Sequence, residues 1–102
     1  MKKIGFEQPK EPKVTPDEEL FLAIIEEMFS IYMAKNADYG NSSNMTYELY
    51  GDVSYAVRIN DKMNRINSLL QKGEAQVEDE KLEDTILDMA NYCVLWLMEK
   101  LK

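Results

Sequence analysis

Three acidic side chains repeat at a regular interval in the segment EKLEDTILD, which has the apolar periodicity of a helix. Glu80, Asp84 and Asp88 are four residues apart, so neighbouring side chains lie about 5 to 6 Å from each other on one helix face. Like charges at that spacing repel, whereas Mg²⁺ would bind them because it prefers carboxylate, water and phosphate oxygens. Two interpretations are open: a solvated acidic face and a magnesium site.

Basic side chains form a second group one helix earlier, in the segment RINDKMNRIN. Arg58, Lys62 and Arg65 lie on one side of an apolar seam, and Asp61 has the spacing to pair with Arg58 or Arg65. One interpretation is a set of surface ion pairs, each of which contributes well under about 1 kcal/mol. The alternative is that the cations contact phosphates, while neighbouring asparagines offer hydrogen bonds to a base or a sugar.

Aromatic residues collect within and just after a predicted loop. The loop contains Asp38, Tyr39 and Gly40, Tyr47 and Tyr50 follow it, and Tyr55 lies just beyond. In one interpretation the tyrosines cap the core of a helical bundle. In the other they stack on a nucleobase, which contributes about 1 to 3 kcal/mol per stacked base. Gly40 would let the backbone approach a ligand closely.

Composition excludes several classes of protein. The 102 residues include 12 basic and 19 acidic side chains, for a net charge of −7, and no histidine. Without a basic cluster the chain is unsuited to binding long nucleic acid, although a few local cations are enough to hold the phosphates of a small nucleotide. The single cysteine, Cys93, lies in an apolar helical run that predicts burial, so a zinc site and a Cys/His nucleophile are both excluded. There is no apolar run of about 18 residues and no secretory signal, which predicts a cytoplasmic protein without a membrane partner.

The N-terminal third of the chain predicts an extended arm followed by a helix. Residues 1–14 contain two prolines among charged residues, a composition typical of an arm. Residues 15–102 form a single predicted helical domain. Its first helix begins with a capping box in which Thr15 is the N-cap and Glu18 the third helical residue, and a proline occupies the first helical position. The apolar pattern ends at about Lys35.

A polar connection separates this helix from the next long one. Residues 35–44 are rich in Asn, Ser, Asp and Gly and predict a loop. A short helical segment is expected at 45–50. Gly51 then breaks the pattern, and Asp52 is placed to cap the second main helix.

Two longer helices complete the prediction. The apolar residues of the second main helix alternate three and four apart, as in antiparallel packing, at Ala56, Ile59, Met63, Ile66 and Leu70. Gly73 is its predicted stop. The third main helix begins near Asp79 and places one apolar face at Leu82, Ile86, Met89, Cys93 and Leu97.

The second half of the third main helix is apolar nearly all round, because Leu95, Trp96 and Met98 add to its apolar face. A helix that is apolar on every side is normally covered on every side, and three helices of one chain do not cover it easily. The sequence therefore predicts an all-α bundle of three main helices that is completed by oligomerisation. Trp96 is expected in the subunit interface.

Three segments in order carry a resemblance to a known family: KNADYG at 35–40, RINDKMNRI at 58–66 and EDEKLEDTILDMANY at 78–92. Together they resemble the nucleotide modification associated domain type 1 family, found mainly in bacteriophage genomes. That family is distantly similar to the MazG-like all-α nucleoside triphosphate pyrophosphatases, which are oligomeric helical proteins whose helix acids hold Mg²⁺ against a nucleotide's phosphates.

The resemblance implies a ligand set and a location. It implies a small nucleotide held by Lys35, Asp38, Tyr39, Gly40, Arg58, Asp61, Lys62 and Arg65. It also implies Mg²⁺ ligands at Glu27, Glu80, Asp84 and Asp88, although the spacing of these acids departs from the paired arrangement of the MazG-like proteins. A phage-encoded member would act in the cytoplasm of the host cell.

Three functional hypotheses follow from these observations. In the first, the protein is a Mg²⁺-dependent nucleotide pyrophosphohydrolase in which the metal polarises the phosphates and orients a water. In the second, an oligomer without catalysis sequesters a nucleotide, such as a cyclic signalling nucleotide of an antiviral pathway. In the third, the chain is a helical assembly module with no small ligand.

Overall fold

The computed structural model describes residues 15–39, 42–72 and 81–102. These ranges contain four helices and no strand: α1 (Pro16–Tyr39), α2 (Ser42–Tyr50), α3 (Asp52–Lys72) and α4 (Leu82–Leu101). The all-helical prediction is therefore confirmed for the described part of the chain. The predicted N-terminal arm, the stop at Gly73 and the helix start near Asp79 lie outside these residues. None of the described helices is long and apolar enough to cross a bilayer.

The chain divides into two units, one that contains α1 and one that contains α2, α3 and nearly all of α4. In the first unit, α1 begins as predicted. The backbone N–H of Glu18 donates to Oγ1 of Thr15 at 3.1 Å, and the N–H of Thr15 donates to a carboxylate oxygen of Glu18 at 3.3 Å. These two bonds are the reciprocal bonds of a capping box.

The end of α1 differs from the prediction. The helix continues to Tyr39, four residues beyond the predicted end at about Lys35. Asn and Asp favour turns over helix by only a fraction of a kcal/mol, and Ala37 favours helix. A helix that is already formed therefore continues through this polar segment.

In the second unit, α2 and α3 are joined at Gly51, the predicted break. Gly51 has a φ of 69°, a backbone conformation that favours glycine. Its N–H donates to the carbonyl oxygen of Tyr47 at 2.7 Å, and its carbonyl oxygen accepts from the N–H and Oγ of Ser54 at 3.1 and 2.8 Å. The helix before the break starts at Ser42 rather than Met45, so the end of the predicted loop is also helical.

The first residue of α3 connects this helix to α4. The carboxylate of Asp52 accepts a hydrogen bond from Nε1 of Trp96 at 2.8 Å and pairs with Nζ of Lys100 at 3.2 Å. Tyr55, one turn further along α3, is fully buried and stacks on Trp96 with ring centroids 6.3 Å apart and an interplanar angle of 11°. Asp52 therefore serves as a link between two helices rather than in the predicted capping role.

The remaining contacts between the two helices follow in reverse order along the chain. Each step forward on α3 meets a step backward on α4, which makes the helices antiparallel: Asp52 with Lys100 and Trp96, Tyr55 with Trp96, Arg58 with Tyr92, and Lys62 with Asp88. We call this row of contacts the α3–α4 seam. It is built from polar and aromatic side chains.

The predicted apolar seam of α3 is partly wrong. Ile66 is buried and Ile59 is partly buried, as expected, but Ala56, Met63 and Leu70 are exposed. Tyr55 and Leu69 are buried in addition to Ile66, so the packed side of α3 is rotated from the predicted one. The packed side includes Arg58 and Lys62, whose long side chains combine an apolar stem with a charged head.

The predicted apolar face of α4 is also wrong in part. Ile86, Cys93 and Leu97 are exposed, and the predicted burial of Cys93 is not observed. Thr85 is fully buried instead, and Asp88, Tyr92 and Trp96 on the same side are partly buried. The seam contacts explain the difference, because Asp88, Tyr92 and Trp96 are held by charged and aromatic side chains of α3.

A second polar contact joins α2 to the end of α4. The side-chain amide of Asn44 donates to both carboxylate oxygens of Glu99, at 2.8 and 2.9 Å. Lys102 also pairs with this carboxylate. The hydrogen bond from Lys102 is the main cause that lowers the pKa of Glu99. Desolvation opposes it, and the hydrogen bond from Asn44 lowers the pKa further.

The contacts of Asp52 predict a pH-dependent contribution to stability. The hydrogen bonds from Trp96 and Lys100 lower the pKa of Asp52 below its ordinary value of 3.8. A carboxyl whose pKa is lowered by folding stabilises the folded state above its unfolded pKa and loses that contribution as the pH falls through its folded pKa. Asp52→Asn should therefore lower the melting temperature at pH 7, and the difference from the parent should shrink below pH 3.8. Glu48→Gln, at an exposed position of α2, is the matched control. Thermal unfolding followed by circular dichroism measures both, and a difference that does not depend on pH would contradict the prediction.

Candidate functional site

The centre of the α3–α4 seam is an ion pair between two residues predicted to have separate roles. Nζ of Lys62 lies 3.0 Å from a carboxylate oxygen of Asp88, and the two side chains are 28% and 26% exposed. The sequence placed Lys62 among phosphate-binding cations and Asp88 among metal ligands. The pair is within reach of solvent, yet enough of it is covered that its charges interact more strongly than on an open surface.

A second cation lies one helical turn before Lys62. The guanidinium carbon of Arg58 is 6.0 Å from the ring centroid of Tyr55 and 5.8 Å from that of Tyr92. Both distances are within the range at which a cation is attracted to an aromatic face. Because a guanidinium stays charged at all ordinary pH values, this part of the seam keeps a positive charge next to the partly neutralised Lys62.

The other polar residues near this pair differ in exposure. Arg65, one turn after Lys62, is exposed, as is Asp61. On α4, Asn91 is partly buried and Thr85 is fully buried. The seam thus presents two partly buried cations with one carboxylate, and an amide on the adjacent turn. Such a group is suited to an anion, since cations and amide N–H groups both donate hydrogen bonds to phosphate oxygens.

The predicted metal ligands lie in different parts of the chain. Asp84 is exposed on the first turn of α4, Asp88 is paired with Lys62, and Glu27 is exposed on α1 in the other unit. Glu80 lies outside the described residues. Among the residues that the structure describes, no three acidic, cysteine or histidine side chains come together as a metal-ligand group.

The donor chemistry of Asp84 and Asp88 is nevertheless suited to one kind of magnesium site. Proteins often hold Mg²⁺ through one or two carboxylates while substrate phosphates and waters complete the octahedron. Two carboxylates one turn apart on α4 match that requirement. The four-ligand magnesium site stays a prediction.

The predicted ligand residues near the first loop fall outside this seam. Lys35 is an exposed residue of α1, Asp38 and Tyr39 belong to the last turn of that helix rather than to a loop, and Gly40 lies outside the described residues. Lys35, Asp38 and Tyr39 belong to the unit of α1. Their role in nucleotide binding stays a prediction.

The tyrosines after the loop divide between the two interpretations. Tyr47 is partly buried, with its ring centroid 5.9 Å from that of Tyr55, and its hydroxyl lies 3.5 Å from the carboxylate of Asp52. Tyr47 therefore covers the core, as the first interpretation expects. Tyr50 is exposed.

Sequence reasoning did not find several residues that shape the site. Tyr55 was placed only among the tyrosines near the first loop, Tyr92 and Trp96 were treated as parts of an apolar run, and Asp52 as a cap. The sequence did contain a pattern that could have found them. Polar and aromatic residues recur every three or four positions on α3 and again on α4. Only an antiparallel register pairs the two series.

The described helices and the charged seam define an all-α protein with a polar site between two antiparallel helices. The profile of the family described as nucleotide modification associated domain 1 matches residues 35–99. The chain belongs to this family. The match includes α2, α3 and most of α4, and it confirms the family resemblance on which the sequence prediction depended. Searches of curated proteins and of solved structures found no match.

The ion pair predicts an energetic coupling between its two residues. In a double-mutant cycle, Lys62→Met and Asp88→Asn should each destabilise the fold, and their combination should cost less than the sum by about 0.5 to 1 kcal/mol. The same cycle with Asp84→Asn in place of Asp88→Asn is the control, because Asp84 is exposed one turn away. Urea unfolding provides the free energies. Equal coupling in the two cycles would remove the ion pair from this account.

Proposed function

We propose that this protein binds a small nucleotide at the α3–α4 seam, with the phosphates at Lys62, Arg58 and Arg65. The observation that carries the proposal is the partly buried Lys62–Asp88 pair beside Arg58. It places cations where water is partly excluded, in a chain whose family is associated with nucleotide modification. A long nucleic acid is a poor partner for a chain of net charge −7, whereas a nucleotide needs only this local group.

Binding would work by an exchange of partners at Lys62. In the absence of ligand its ammonium is neutralised by Asp88. A phosphate competes with that carboxylate for the same donor, and charge-assisted hydrogen bonds to phosphate contribute about 1.5 to 3 kcal/mol each. Arg58 approaches the seam from the preceding turn, and the ring of Tyr92 keeps its guanidinium there.

The exchange leaves Asp88 without its cation, which is why Mg²⁺ enters the proposal. Asp84 and Asp88 would hold a metal that arrives with the phosphates, and Glu27 and Glu80 are the further ligands implied by the MazG-like resemblance. When bound, Mg²⁺ neutralises phosphate charge and polarises a water. The residues of this chain then hold the phosphates through Lys62 and position the carboxylates on successive turns of α4.

Two outcomes for the bound nucleotide follow, and they belong to different functional classes. One is hydrolysis by a Mg²⁺-dependent pyrophosphohydrolase of the MazG-like kind. The other is sequestration, in which an oligomer keeps a linear or cyclic nucleotide intact, as a phage-encoded protein would do in the host cytoplasm to counter antiviral signalling. The Lys62–Asp88 pair favours sequestration as the second candidate, because it allows an anion to be exchanged without a metal.

Oligomerisation is part of the same proposal. Exposed large apolar residues occur on every described helix, among them Phe21, Leu49, Val57 and Leu97. Extensive exposed apolar surface usually marks an interaction site. Trp96, which was expected in the subunit interface, instead packs on Tyr55 and donates to Asp52 within its own chain. Its place in a subunit interface stays a prediction.

Substitution of Lys62 and substitution of Asp88 should change the affinity for a nucleotide in the absence of metal in opposite directions. Lys62→Met should weaken affinity at least about tenfold, because one charge-assisted phosphate contact is lost. Asp88→Asn should strengthen it, because the competing carboxylate is removed. Lys72→Met, at an exposed position in the last turn of α3, is the control and should bind as the parent does. Calorimetric titration with a panel of linear and cyclic nucleotides measures these affinities. If both seam variants bind every nucleotide as the parent does, the phosphates are held elsewhere.

Magnesium dependence tests the metal part of the proposal separately. Asp84→Asn and Asp88→Asn should each abolish the effect of Mg²⁺ on nucleotide affinity, while Asp17→Asn, an exposed acid on α1, should not change it. Chromatography of the retained and released nucleotide shows whether it is hydrolysed with Mg²⁺ or recovered intact. An unchanged Mg²⁺ effect in both α4 variants would exclude these residues as ligands.

A further inference from the structure

One side of α4 is apolar at its centre and charged at both ends, and apart from Lys100, which pairs with Asp52, its residues lie outside the row of contacts with α3. Ile86 is 45% exposed and Leu97 is 50% exposed, Cys93 is exposed, and Ala90 is partly buried. An exposed acid and an exposed base flank these four residues. We call the six residues the outer face of α4: Glu83, Ile86, Ala90, Cys93, Leu97 and Lys100.

These six positions have the spacing of a helix–helix interface. They alternate three and four residues apart over the whole length of the helix, which is the pattern of a seam that packs against a second helix. The apolar centre of that face does not pack on α3, because the contacts of α3 with Asp88, Tyr92 and Trp96 lie on another side of α4. The outer face therefore has the residue pattern of a helical interface and meets α3 only through Lys100.

The order of residues on this face is complementary to itself when the helix is reversed. If a second copy of α4 runs antiparallel across the outer face, Ile86 lies opposite Leu97 of the other copy and Ala90 opposite its Cys93. Glu83 then lies opposite Lys100. Two-fold symmetry repeats each pair, so that both ends of the interface carry opposite charges. In a parallel arrangement Glu83 would meet Glu83 and Lys100 would meet Lys100, which is unfavourable.

We propose that the outer face of α4 docks a second copy of this chain in this antiparallel register. The charge complementarity of the two ends selects a second copy as the partner and also selects its direction. Small residues at the centre, Ala90 and Cys93, allow the helices to approach closely. This inference specifies the interface of the oligomer proposed above and does not depend on nucleotide binding.

Lys100 joins the interface to the fold of each chain. Its Nζ bonds to Asp52 at 3.2 Å while its side chain stays 52% exposed. Glu83 of the second copy would approach the exposed part of this ammonium and extend the Asp52–Lys100 pair into a three-residue network. Docking would thus stabilise the end of the α3–α4 seam.

The assembly is tested first by its dependence on Leu97. The full-length protein in reducing buffer should sediment as a dimer at micromolar concentration, and Leu97→Glu should raise the dissociation constant at least about a hundredfold because it places a charge in the apolar centre. Leu70→Glu introduces the same change at a 65% exposed leucine of α3 and should leave the dimer intact. Circular dichroism confirms that each variant is folded. A monomeric parent, or a dimer that persists in Leu97→Glu, would overturn the proposal.

The charged ends are tested by a reversal of one sign. Glu83→Lys should weaken the dimer about tenfold, since it replaces two attractions with two repulsions. Glu48→Lys, at an exposed acid of α2, should leave the dissociation constant unchanged. The effect of Glu83→Lys should diminish at high salt, because exposed charges are screened. Equal effects of the two variants would contradict the register.

The antiparallel direction is tested with spin labels on single cysteines. In Cys93→Ser combined with Lys81→Cys, the two labelled positions should lie about 32 Å apart along the helix axes, because each residue of helix adds about 1.5 Å. A parallel pair would bring them to about 10 Å. Pulsed electron paramagnetic resonance separates the two distances. The longer distance together with intact nucleotide affinity supports both proposals, and the shorter distance overturns this one alone.

Discussion

The α3–α4 seam, with the ion pair between Lys62 and Asp88 at its centre, determines which sides of α3 and α4 face each other. Two opposite charges that are each about three-quarters covered favour each other, since separating them without another partner would leave a charge in a poorly solvated place. Their pairing places Arg58 against Tyr92 one turn away and Trp96 against Tyr55 and Asp52 beyond it. The helices are thereby joined in one antiparallel register.

The same arrangement explains why the contacts that join α3 to α4 and the candidate site are formed by the same residues. A seam of cations, a carboxylate and aromatic rings stabilises two helices less than an aliphatic interface of the same size would, because desolvation opposes the charge–charge attraction. Its charged side chains can exchange one polar partner for another, whereas aliphatic side chains have no polar group to exchange. In a family associated with nucleotide modification, the proposal places phosphates at an ion-paired lysine and at an arginine that lies beside an aromatic ring.

A further consequence appears on the outside of the helices. Because the seam uses the polar and aromatic sides of α3 and α4, aliphatic residues such as Val57, Ile86 and Leu97 point away from it and stay exposed. Exposed apolar faces of this kind usually mark an interaction site, which is why oligomerisation is part of the proposed function. The polar seam and the exposed apolar residues therefore have one cause.

The sequence by itself determined the features that depend on neighbours along the chain. The capping box of Thr15 and Glu18, the break at Gly51, the all-helical class and the family were all predicted, because each rests on local hydrogen bonding, backbone freedom or ordered motifs. Only the tertiary structure decided which faces of α3 and α4 are packed. Apolar periodicity predicts burial for Cys93 and Leu97, which the structure exposes, and leaves Lys62 and Asp88 outside the packed faces, where the structure pairs them and covers them in part. The physical reason is that a charged side chain is readily covered only beside an opposite charge. For Lys62 and Asp88 that opposite charge lies on another helix.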